Sequence, residues 1–266
     1  MTNTQTVIPG ESAGWRRRFG IQKKKAITEV VDKDSKSKSG DITLHQGQYV
    51  FLLTDTAKDF TNERTITIGE GAQVDIFLCY FGSGNVITRN HFKIKADSRI
   101  SERVIFFATG EQQFSFDEKY EFTGKNAKGE FVINGLVSDN AKSGCAGNII
   151  INTGASGTDA RLEMSSYILG LSGGSVPKSG VEPKISHARS EMVPSLEIKN
   201  NEVKASHAAK THNLSGDELF YLSSRGLAPA EAKRLFIEGL FLEFVKNIDS
   251  KDVREKILTI SKKRYE

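Results

Sequence analysis

Residues 64–94 read RTITIGEGAQVDIFLCYFGSGNVITRNHFKI. Polar and apolar side chains alternate through Thr65-Ile66-Thr67-Ile68, and Val, Ile, Phe and Thr dominate 74–80 and 86–94, with Gly and Asn between the runs. A period of two places alternate side chains on opposite faces of a strand, and β-branched and aromatic residues suit that pleated surface. Three strands are therefore predicted, at 64–68, 74–80 and 86–94. Outward from them the same texture runs from Asp41 to about Thr211, with further strands predicted at 48–53, 103–109, 131–135, 148–151 and 164–169. Ile105-Phe106-Phe107 and Ile149-Ile150-Ile151 are solidly apolar, which predicts burial on both faces. No long helical period interrupts this all-β region, so it is a sandwich, a barrel or a strand solenoid; periodicity alone does not choose. A strict internal repeat is absent, which counts against a regular hexapeptide solenoid.

The pattern changes beyond His212. Ser215 and Glu218 have capping-box spacing, and Leu219-Phe220-Tyr221-Leu222 ahead of Gly226 predicts a short helix. Pro229 suits the first turn of a second helix reaching about Ile248, and 251–262 reads as a third, more polar one. Phe236, Ile237, Leu240, Phe241, Leu242 and Phe244 spread around much of the second helix, so it is expected to face its own domain and a partner as well. The expected organisation is thus a basic flexible segment over 1–40, a β core over 41–212 and a helical domain over 213–266.

The net charge of +4 is local, because residues 1–40 hold nine Lys or Arg against four Asp or Glu. Arg16, Arg17, Arg18 and Lys23, Lys24, Lys25 could meet phosphate, but no recognition-helix, RNP or finger pattern stands beside them, so a solvated arm is the better reading. Neither an apolar run of spanning length nor a secretory layout at the start is present, and a cytoplasmic protein is expected. Cys79 and Cys145 are too far apart in sequence and too few to suggest a disulfide framework or a cysteine-built zinc site. Gly82-Ser83-Gly84 lacks a third glycine and Gly124-Lys125 lacks its Ser or Thr, so neither nucleotide motif is satisfied. No nucleophile elbow or HExxH motif occurs, and no enzymatic role is expected. Three of the five histidines, His187, His207 and His212, fall close together and could share an ion from adjacent strands.

The segment from Ser195 through Ala205-Ser206-His207-Ala208, then Asp217-Glu218-Leu219-Phe220-Tyr221-Leu222-Ser223-Ser224-Arg225-Gly226 and on to Gly239, resembles the carboxyl-terminal signature of the SufB and SufD proteins. Order, spacing and the unusual LFYLSSRG string agree together over residues 191–243; before 181 only the texture is similar. The resemblance implies a right-handed parallel β-helix followed by a small helical domain. It also implies a cytoplasmic scaffold for iron-sulfur cluster assembly, paired as a homo- or heterodimer with another SufB/SufD-type subunit. Its other implied partner is SufC, an ABC-type ATPase that docks on the carboxyl-terminal helices. By that analogy Leu219, Phe220, Leu222, Arg225, Gly226, Phe236 and Leu240 would form the partner-binding surface.

Two departures narrow the role. Where the family carries cysteines, this chain has Ala205 and, in a rough register, Ala188. A thiolate is the usual anchor of such clusters, so His207 could supply at most one metal ligand, shared across a subunit interface. A SufD-type short form is therefore expected, with the cluster held only transiently. The alternatives are a β-helix carbohydrate-active enzyme, marked by an acidic cluster with a nearby Arg, and a nucleic-acid-binding module using the basic arm.

Overall fold

The computed structural model describes residues 40–54, 59–169, 187–213 and 226–265. Ten parallel strands follow one another: β1 (Gly40–Thr54), β2 (Phe60–Phe81), β3 (Val86–Ile94), β4 (Arg99–Ala108), β5 (Gln113–Phe122), β6 (Lys128–Val137), β7 (Lys142–Ile151), β8 (Asp159–Ile168), β9 (Arg189–Ile198) and β10 (Lys204–Asn213). Two helices close the chain, α1 (Pro229–Val245) and α2 (Lys251–Tyr265). The short helix predicted before Gly226 and the basic segment lie outside the described residues.

The hydrogen-bonded order β10-β8-β6-β4-β2-β3-β5-β7-β9 makes the chain a β-solenoid. Strand β2 turns the corner itself, since Phe60 to Ile68 pair with β3 while Gln73 to Tyr80 pair with β4. A first sheet thus holds the front of β2 with β3, β5, β7 and β9, and a second holds its rear with β4, β6, β8 and β10. The two strands predicted at 64–68 and 74–80 are one strand that bends between Ile68 and Gln73, where its pairing with β1 shifts register. Each rung up to β8 lies on the last after 24 residues (Gly40 to Arg64) to 31 residues (Lys128 to Asp159), and the final rung follows after 47 residues (Lys142 to Arg189) and 45 residues (Asp159 to Lys204). That variation in coil length hides the repeat from any search for a fixed period.

The corners between the sheets carry their own signature. Gly71, Asp97, Asn126 and Gly157 occupy successive rungs at φ of 64°, 55°, 56° and 72°, a left-handed conformation that Gly, Asn and Asp tolerate best. Their amides climb the stack, from Gly71 to the Ala96 carbonyl (2.9 Å), Asp97 to Lys125 (2.8 Å), Asn126 to Ser156 (2.7 Å) and Gly157 to Glu202 (2.7 Å). Asn126 Nδ2 also donates to Asp97 Oδ1 at 3.0 Å.

Two cores result. Between the sheets, Ile66, Phe92, Tyr120 and Ile149 form one buried column, and Tyr120 stacks on Phe92 and Phe131 with ring centroids 5.3 and 3.6 Å apart. Outside the second sheet, Val50, Leu52, Phe77, Cys79, Phe81, Ile105 and Phe107 pack under Ile237, Phe241, Phe244 and Val245 of α1 and Val253 and Ile257 of α2. All of Ile105-Phe106-Phe107 is therefore buried, one residue facing the solenoid interior and two facing the helices. Gln48 pins the helix junction, donating to the Asn247 carbonyl (2.9 Å) and accepting from the Asp249 amide (2.6 Å).

Candidate functional site

The last rung is where the histidines gather. β9 pairs only with β7 and β10 only with β8, so among the described residues each has one free edge, and the two lie side by side at the same end of the stack. His207 sits on β10 opposite Leu162, an interior position of β8, yet it is exposed because no further described rung covers it. His212 stacks flat on Tyr167 at 4.8 Å, and the exposed His187 lies two residues before β9, its amide donating to the Asp139 carbonyl. Among the described residues no three His, Cys, Asp or Glu side chains are arranged to hold an ion, so the expected sharing by His187, His207 and His212 is not formed within this chain. Ala188 and Ala205 pack against the interior core at this open end.

Helix α1 presents a second surface. Ile237, Phe241, Phe244 and Val245 are buried against the second sheet, whereas Leu235 and Leu242 are 46% and 54% exposed two turns apart. The expectation of two apolar contacts on this helix thus resolves into one satisfied face and one open pair. Phe236 and Leu240 lie half-buried between them, Phe236 edge-on to Tyr167 at 5.5 Å, so part of their surface is already used within the chain. Gly226 is exposed at φ 90°, a helix-stop conformation. Leu219, Phe220, Leu222 and Arg225 fall outside the described residues. Lys233 Nζ ties α1 to the Leu169 carbonyl at 3.0 Å; burial lowers its pKa, opposed by the charge of Asp139.

Sequence reading missed the polar groups inside the solenoid. Arg64, Asn90, Glu118 and Gly147 share one interior column of the first sheet, and Glu102 faces inward from the second. Glu118 accepts from Asn90 Nδ2 at 2.9 Å, and Glu102 from the Tyr120 hydroxyl at 2.5 Å. The signal was present as parity, since Phe114, Phe116, Glu118, Tyr120 and Phe122 fall on one phase of the alternation. A carboxyl on the apolar phase is a buried carboxyl.

On the outside of the first sheet, Asp41, Glu63 and Asp117 line a groove of about 420 Å³ with Arg89, His91 and Lys119. This is the acidic cluster with an arginine that a carbohydrate-active β-helix would need. Register places Arg89 directly between Glu63 and Asp117, however, so alternating charges oppose one another across the ladder.

A model of the SUF system FeS cluster assembly family, SufBD core domain, matches residues 31–179 and 185–240. The chain belongs to that family. It is 26% identical over 213 residues to the iron-sulfur cluster assembly protein SufD of Bacillus subtilis, covering 80% of this chain and 45% of that protein. An iron-sulfur cluster assembly SufBD family protein of Mycobacterium tuberculosis is 35% identical over 112 residues, 42% of this chain and 24% of the relative. The SufB protein of Bacillus subtilis is 36% identical over 59 residues, 22% and 13% of the two chains. The chain thus spans less than half the length of these relatives. Family membership and the β-solenoid followed by helices both agree with the resemblance carried by residues 191–243. No helix among the described residues is long and apolar enough to cross a membrane.

Proposed function

We propose that the chain is a non-catalytic scaffold subunit of the SUF iron-sulfur cluster assembly system. Residues 41–212 serve as the platform and 213–266 as the docking module. The observation that carries this reading is that β9 and β10 each keep a free edge among the described residues of a SufBD-core chain. A strand edge with unpaired backbone groups is a ready template for a strand from another subunit. A SufB- or SufD-type subunit, identical or different, is the partner assigned to that end, and a SufC-type ABC ATPase the partner assigned to the helices. Leu235 and Leu242 supply apolar surface for the ATPase, together with the segment holding Leu219, Phe220, Leu222 and Arg225. The cluster is cargo in this scheme. His207 offers one imidazole from the free rung, and with alanines at 188 and 205 the remaining donors come from the partner subunit.

Co-expression with a SufC-type ATPase and a SufB-type subunit, followed by affinity capture of this chain, tests both contacts at once. Leu235→Glu combined with Leu242→Glu is expected to lose the ATPase and keep the scaffold partner. Val193→Glu, on the exposed face of β9, is expected to do the reverse. Capture of neither protein by the unaltered chain, or of both by each variant, overturns the assignment.

A further inference from the structure

Glu102 of β4 and Glu118 of β5 are completely buried between the two sheets, beside the Phe92, Tyr120 and Phe131 stack. Each carboxyl is bonded through one oxygen only. Glu102 Oε2 takes the Tyr120 hydroxyl, and Glu118 Oε1 takes Asn90 Nδ2 at 2.9 Å and the Thr88 hydroxyl at 3.5 Å. The other oxygens, Glu102 Oε1 and Glu118 Oε2, are buried with no partner among the described residues. The titratable groups acting on the pair are Tyr80 of β2, Tyr120 and Asp117 of β5 and Cys145 of β7, none of which supplies a positive charge. Arg64 heads the Glu118 column, but Asn90 stands between them. An ionised carboxylate with an orphaned oxygen in an aromatic interior, next to a second carboxylate, combines desolvation with like-charge repulsion.

We propose that Glu102 and Glu118 are a proton-binding pair, carried as neutral acids inside the folded solenoid at neutral pH and ionised only when the core opens. Burial pushes both groups in this direction, and the charge of Glu102 adds to it at Glu118. Glu102 is raised to about 8, with the Tyr120 hydrogen bond opposing, and Glu118 is raised as well. The two titrate as a unit. Unfolding returns each carboxyl to water, where it ionises near 4.5. Between 4.5 and about 8 the folded chain therefore binds more protons than the unfolded chain, so raising the pH weakens the fold. Each proton held only by the native state lowers the folding constant about tenfold per pH unit across that window.

Infrared spectroscopy in D₂O reads the protons directly. At neutral pH the unaltered chain is expected to show the carbonyl stretch of a protonated carboxylic acid, reduced by Glu102→Gln and by Glu118→Gln and abolished by the pair of changes. Glutamine keeps the acceptor oxygen that takes the Tyr120 or Asn90 hydrogen bond, so these variants preserve the polar contacts. Urea unfolding of the unaltered chain is expected to show stability falling as pH rises from 4.5 toward 8, and the double variant to flatten that fall. Absence of the acid stretch at neutral pH overturns the proposal even if the variants fail to fold, as does an unchanged pH slope in variants that do.

Discussion

At the scale of single residues, the solenoid depends on close approaches that only glycine allows. A Cβ on Gly124 would stand 2.2 Å from the backbone nitrogen of Ala96, in the coil below. Backbone cannot swing aside as a side chain can. Gly124→Ala is therefore expected to destabilise by about 2 kcal/mol or more, whereas Gly144→Ala, with nothing within 4 Å, should stay within about 0.5 kcal/mol. Urea midpoints at constant slope measure both. The corner column makes a parallel demand. Asn126→Gly keeps the left-handed turn and loses one bond to Asp97, while Asn126→Val forces a β-branched residue to φ 56° and is expected to cost about 1–3 kcal/mol more than the glycine change. For His207 the expected effect is on loading alone. His207→Ala should leave the melting temperature unchanged, because the side chain is exposed, and reduce iron and sulfide retained by the assembled complex. Equal loading would show that the imidazole is an ordinary edge residue.

At the scale of elements, the helical pair is held to the second sheet by one apolar face and a few polar pins. Phe241 is fully buried and tilted against Phe81 at 5.4 Å, so Phe241→Ala is expected to cost about 3–5 kcal/mol. Gln48 bonds both the Asn247 carbonyl and the Asp249 amide from a nearly inaccessible position. Gln48→Ala orphans both groups and should cost about 1–3 kcal/mol for each that water does not reach. Hydrogen exchange locates that loss. Faster exchange in α1 and α2 with unchanged protection in β5 to β8 is the expected pattern, and uniform loss would mean that helices and solenoid open together.

At the scale of the whole molecule, the helices cover a patch that the solenoid cannot leave bare. Val50, Leu52, Phe77, Phe81, Ile105 and Phe107 lie beneath them. Removing residues 214–266 is therefore expected to give an aggregating chain, read by light scattering, and not merely one that fails to bind an ATPase. The Leu235→Glu and Leu242→Glu variant should remain monodisperse, since both side chains already face solvent. The two cores also answer to different variables. Protons on Glu102 and Glu118 act on the interior, while the outer core of Phe77, Phe241 and Ile257 is apolar throughout.

Much of this was legible in the residues before any coordinates. Period-two alternation set which side chains of 64–68 and 86–94 face inward, because a pleated strand has only two faces. Pro229 and the apolar spacing after it marked α1 and its surplus of apolar residues, though not that Leu235 and Leu242 are the exposed ones, and the segment 191–243 carried the family. What the alternation could not say is which strand lies on which. A parallel solenoid is closed by pairings between residues such as Val104 and Ile133, and such long-range partners leave no mark in a local window. Tertiary stacking alone brought Gly71, Asp97, Asn126 and Gly157 into one column, left β9 and β10 with free edges among the described residues, and buried Glu102 and Glu118 together between the sheets.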